Sequence, residues 1–206
     1  MIQLTAVFLV SVSSIMFEIL LARFFAISQW NHLAFMVISM ALFGFAASGT
    51  LLSMRGIAGK PSVPETTQTR VHLLLYSAST LVSFLILNRM PLDYMALPVE
   101  PLQILLLLAA CLLIAVPFFY AGMVISCAYM TMPERTGTIY FFNMAGSGVG
   151  ALVVLFLLPF ANEGSLITLA VILPLLATLP LFIKIKKKYD KPGFAAAGIL
   201  IAVIVL

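Results

Sequence analysis

Glu18 places a carboxylate inside a long apolar run near the start of the chain. Within a membrane-spanning helix such a group is expensive unless it is paired, hydrated or protonated. At about 100° per residue, Ser11, Ser14, Glu18 and Ala22 fall in one stripe, so this face is expected to look toward other helices or a wet cavity. Two readings follow. Glu18 is a proton or cation site, or it closes an interhelical hydrogen bond or ion pair, with Arg23 or His32 as partner, that locks the bundle. Arg23, Gln29, Trp30, Asn31 and His32 cluster where the first two apolar blocks meet. Trp30 there is ordinary interfacial chemistry. An imidazole can change charge near neutral pH, so His32 is expected either to communicate with Glu18 or simply to face water.

A second group lies between Tyr140 and Ala151. Gly146, Gly148 and Ala151 satisfy G-x-G-x-x-A, but a dinucleotide loop must follow a strand and open a helix, and this one is embedded in an apolar run. Gly146 and Gly150 instead form a small-x-x-x-small face for close helix approach, with Asn143 one turn earlier on roughly the same side. Ser39, Ala46 and Ser53, with Gly49, offer a matching surface on the second block. Cys111 and Cys127 share one segment about 24 Å apart along a helix, too far to pair. No H-E-x-x-H, C-x-x-C, P-loop or Ser-His-Asp set is present. The chain therefore offers no catalytic residue, no metal site and no cofactor site.

These residues are positioned by seven apolar blocks. The composition, 63% hydrophobic and 9% charged, with a mean hydropathy of +1.18, makes lipid the solvent and excludes a water-soluble globule. A hydrocarbon core about 30 Å thick needs about 20 helical residues to cross, and backbone groups inside it must be bonded within the segment. The expected class is all-α: a single transmembrane domain, a polytopic bundle of six complete helices plus a partial seventh. They lie at about 3–27, 33–54, 71–89, 102–130, 138–161, 165–184 and 194–206. Pro117 and Gly122 suit one long kinked helix in the fourth block, and Pro159, Pro174 and Pro180 mark bends or ends. The N-terminus lacks a basic leader and a cleavage pattern, so it reads as a mature helix. The stretch from Arg55 to Arg70 reads as a loop. The last block is too short to span, which fits a truncated chain.

Nine of the eleven basic residues (Arg55, Lys60, Arg70, Arg135, Lys184, Lys186, Lys187, Lys188 and Lys191) fall in the connections after blocks two, four and six. By the positive-inside rule that side, with the N-terminus, is cytoplasmic, and the net charge of +4 is a topology signal rather than a nucleic-acid one.

The order and spacing of several short motifs complete the reading. Ser13-Ser14-Ile15-Met16-Phe17-Glu18-Ile19-Leu20-Leu21-Ala22-Arg23, Asn31-His32-Leu33-Ala34-Phe35 with Ser39 and Leu42-Phe43-Gly44, Pro117-Phe118 with Ala121-Gly122, and Ile139-Tyr140 with Asn143 and the glycines span nearly the whole chain. The chain resembles the multi-pass membrane domain that precedes a spermidine synthase-like domain in many bacterial proteins. The resemblance implies a following Rossmann-like aminopropyltransferase-type domain using decarboxylated S-adenosylmethionine and a polyamine acceptor. That soluble domain is absent here, so its activity maps onto no residue of this chain. The family tends to carry an acidic residue where this chain has Asn143, so a cation site there does not follow.

The expectation is a non-catalytic domain of the bacterial inner membrane, anchoring the protein and passing a small cationic substrate. Its partners would be the bilayer, a soluble domain or other membrane subunits, and no nucleic acid. Alternatives are half of a small-solute or cation transporter with Glu18 as coupling site, or a structural subunit of a membrane complex. The candidate polar site is Glu18, Arg23, His32, Tyr140 and Asn143, with Ser39, Gly146 and Gly150 as packing residues.

Overall fold

The computed structural model describes residues 2–28, 31–58, 65–93, 95–96 and 98–184. Their regular structure is entirely helical: α1 (Ile2–Ser28), α2 (Asn31–Ala58), α3 (Glu65–Leu87), α4 (Pro101–Thr131), a 3-10 turn (Pro133–Arg135), α5 (Thr136–Leu157) and α6 (Glu163–Lys184). Five stretches, Ile2–Ile27, Leu33–Met54, Thr67–Leu87, Pro101–Thr131 and Pro133–Leu157, are long and apolar enough to cross a membrane. The corresponding run in α6, Glu163–Thr178, is shorter. The expected partial seventh helix at 194–206 lies outside the described residues.

Helix ends depart from the sequence expectation for identifiable reasons. α3 begins at Glu65 rather than near 71, because hydropathy marks where lipid begins while backbone hydrogen bonding continues into the polar turn Glu65–Arg70. With α2 running to Ala58, most of the expected loop from Arg55 to Arg70 is helix. α5 stops at Leu157 rather than 161, because Pro159 has no N–H to donate and disfavours continuation before it. α4 is a single helix of 31 residues with Pro117 inside it and Pro101 in its first turn, where a missing N–H costs nothing.

Successive helices run in opposite directions, so α1, α3 and α5 are mutually parallel, as are α2, α4 and α6. Named contacts fix this. Along α1, residues 8 and 12 meet Gly146 and Gly150 in turn. Along α2, Gly44 meets Ala115 and Phe118 while Ser48 meets Gly122. Between α1 and α6 the order reverses, with Ser13 against Ala170 and Arg23 against Glu163. Among the described helices α1 is central, touching the other five, and 67% of its most apolar stretch is buried, against 22% for α5.

Because lipid is as apolar as leucine, burial between helices gains little, and close packing and polar ties carry the association. Small residues supply the first. A Cβ on Gly44 would lie 2.5 Å from the Ala115 carbonyl and 2.9 Å from the Phe119 nitrogen. A Cβ on Gly146 would lie 2.6 Å from the Phe8 carbonyl. Hydroxyls supply the second: Ser83 on α3 donates to the Leu113 carbonyl of α4 at 2.6 Å. Outward faces such as Leu105, Leu108 and Leu112 on α4 and Phe141, Leu152 and Phe156 on α5 are exposed, as a lipid-facing surface requires.

Candidate functional site

The stripe that carries Glu18 starts buried and ends open. Ser11 and Ser14 are nearly inaccessible, whereas Glu18 and Ala22, one and two turns on, are half-buried. The crossing of α5 explains the change. At its start Ile139 clusters with Leu4 and Val7, and Gly146 then sits against Phe8 and Ser11. By Gly150 the contact has moved to the carbonyl of Val12, about 100° around α1 from Ser11. α5 thus covers the stripe low down and swings to its far side before the level of Glu18. On the other flank Phe17 packs on Phe118 of α4, 5.9 Å between ring centroids, and Phe118 on Phe45 of α2 at the same distance. α2 and α5 are not packed against each other. Glu18 therefore lies half-buried on α1, beyond the stretch that α5 covers. No hydrogen bond or ion pair engages its carboxylate among the described residues.

The remaining candidates separate. Arg23 does not turn back to Glu18: its Nε donates to Oε1 of Glu163, at the first turn of α6, across 3.1 Å. Both side chains are partly exposed, 46% and 33%, so this is a rim ion pair worth about 0–1 kcal/mol. The helix-six N-terminus favours the acid there. Asn143 faces α1, its Oδ1 2.7 Å from the Ser11 hydroxyl, which also lies 2.8 Å from the Val7 carbonyl. One hydroxyl proton serves one acceptor, so exchanging the amide oxygen and nitrogen of Asn143 satisfies both contacts. Tyr140, one turn before, is 58% exposed and points away from this junction. The side chain of His32 lies outside the described residues.

Ser39 is exposed and donates to the Phe35 carbonyl of its own helix. The glycine face of α5 meets α1, not α2 as the Ser39, Ala46 and Ser53 register suggested. A Cβ on Gly49 would meet nothing within 4 Å. Cys111 and Cys127 are not joined in a disulfide.

Two features escaped the sequence reading. Glu163 could have been found by assigning acids, as well as bases, to the two ends of the bundle. The second is a buried tie among three helices: Ser13 donates to the Ala170 carbonyl, and the Tyr76 hydroxyl lies 2.7 Å from Ser13 Oγ. With the serine proton engaged, Tyr76 is the donor. Nothing in α3 marked Tyr76 as inward except its four-residue spacing from Thr80. Among the described residues no three His, Cys, Asp or Glu side chains are grouped to hold a metal.

No protein-family model matches this chain, and no curated protein or solved structure is significantly similar to it.

Proposed function

We propose that this chain is a non-catalytic integral domain of the bacterial inner membrane, of the spermidine synthase-like type, with its N-terminus cytoplasmic. In this reading the membrane-spanning helices anchor the protein and pass a small cationic substrate, and Glu18 is the group that meets it. The observation that supports it is a half-buried carboxylate within a spanning helix that has no partner among the described residues. In a low-dielectric setting such a group must take a proton or a cation, and the two compete.

Glu18→Gln tests this because it removes the charge and keeps the shape. In proteoliposomes, uptake or binding of spermidine is expected to fall at least about tenfold while thermal stability in detergent holds. Lost stability with spermidine handling intact would defeat the reading in favour of a structural role. That second reading draws its support from the buried Ser13, Tyr76 and Ala170 tie, which fits a rigid subunit of a membrane complex.

A further inference from the structure

At the end of the bundle that carries Arg23 and Glu163, the chain leaves α3 and returns to α4 through a short connection. An open groove of about 520 Å³ lies there, lined by Leu85, Ile86, Arg89, Met90, Pro91 and Leu106. Five of these six are apolar, and the sixth is a guanidinium. Leu85 and Ile86 are 44% and 43% exposed on the outward face of α3, and Leu106 is half-buried against the core. Arg89 follows the last residue of the Thr67–Leu87 span by two positions, so it sits where hydrocarbon gives way to headgroups.

Arg89 differs from Arg23 in one decisive respect. Arg23 has Glu163, whereas Arg89 has no carboxylate within 4 Å among the described residues. Asp93, the nearest acid in sequence, uses its Oδ1 to accept the Met95 amide at 2.9 Å. Glu100 is exposed. The backbone amides of Asn88, Arg89 and Met90 are all spent on carbonyls of the last turn, so the side chain is the donor left to the groove. A planar guanidinium matches a phosphate with two parallel hydrogen bonds, and its apolar stem can lie along the groove wall.

We propose that this groove binds one anionic phospholipid, with an acyl chain along Leu85, Ile86 and Leu106 and the phosphate on Arg89. The uncompensated positive charge selects a headgroup of net negative charge. A zwitterionic choline lipid brings its own cation to the same place and gains less.

The test uses the full chain purified in mild detergent, with retained lipid counted by native mass spectrometry and thermal unfolding followed with added lipid. Phosphatidylglycerol is expected to be retained and to raise the midpoint more than phosphatidylcholine does. Arg89→Gln should weaken phosphatidylglycerol retention about fivefold, the worth of one basic side chain at an anionic membrane surface. Arg135→Gln, at the opposite end, should leave it unchanged. Leu85→Trp, at an exposed position that tolerates bulk, should fill the groove and lower retention with the charge intact. Equal retention of the two lipids, an undiminished preference in Arg89→Gln, or the same stabilisation by inorganic phosphate alone would each overturn the proposal. Should Arg89→Gln fail to fold, undiminished retention in Leu85→Trp overturns it equally.

Discussion

Ser13 illustrates how a single hydroxyl acts in a bundle where every buried polar group needs a partner. It donates to Ala170 on α6 and accepts from Tyr76 on α3, so removing it breaks both interhelical ties, whereas removing the tyrosine hydroxyl breaks only the tie between α1 and α3. Tyr76→Phe is therefore expected to lower stability by about 1 kcal/mol, the net worth of one hydrogen bond. Ser13→Ala should lower it by more, about 1–3 kcal/mol, because a buried phenol and a buried carbonyl each lose their partner. Thermal unfolding of both variants in one detergent gives the order, and a reversed order would show that the tie is not organised through Ser13. The sequence made Glu18 legible at this scale because a charge in an apolar run is costly wherever it faces. It could not show that Arg23 would turn to Glu163, because that pairing joins helices separated by 140 positions and depends on which helix lies beside α1.

At the scale of elements, the six described helices were legible and their partners were not. Length and hydropathy locate a helix because lipid imposes backbone bonding within each segment. A small-x-x-x-small face says only that something approaches closely. Gly146 and Gly150 were read as a packing surface with α2 as counterpart, and the structure sets that surface on α1. The weak glycine spacing of α2 carried no register information, since Gly49 faces open space while Gly44 and Ser48 meet α4. The face argument yields an internally controlled prediction. Gly146→Leu must displace either Phe8 or α5 as a whole and should lower stability by about 1–3 kcal/mol. Gly148→Leu, two residues away with nothing within 4 Å of its Cβ position, should leave the melting temperature near that of the parent. Equal effects at both positions would mean that α5 does not hold α1 through its glycines.

For the whole molecule, the alternation of helix direction sorts the charges into two ends. Arg135 and the turn Pro133–Arg135 lie at the end where α4 hands over to α5, together with Arg70 at the start of α3. Arg23, Arg89, Asp93, Glu100 and Glu163 lie at the other. Among the described basic residues Arg55, Arg70, Arg135 and Lys184 belong to the first end and only Arg23 and Arg89 to the other, and Lys and Arg set orientation while acids contribute little. The expected arrangement has that end in the cytoplasm. Labelling can read it without disturbing the determinants, because Glu134 and Asp93 are both exposed acids at opposite ends. In a chain carrying Cys111→Ala and Cys127→Ala, an impermeant thiol reagent added to intact cells should modify Asp93→Cys and spare Glu134→Cys until the membrane is opened. Modification of Glu134→Cys alone would invert the molecule. Arg89 would then meet the inner leaflet, and Glu18, about 24 Å along α1 from its first residue, would be reached from the cytoplasm.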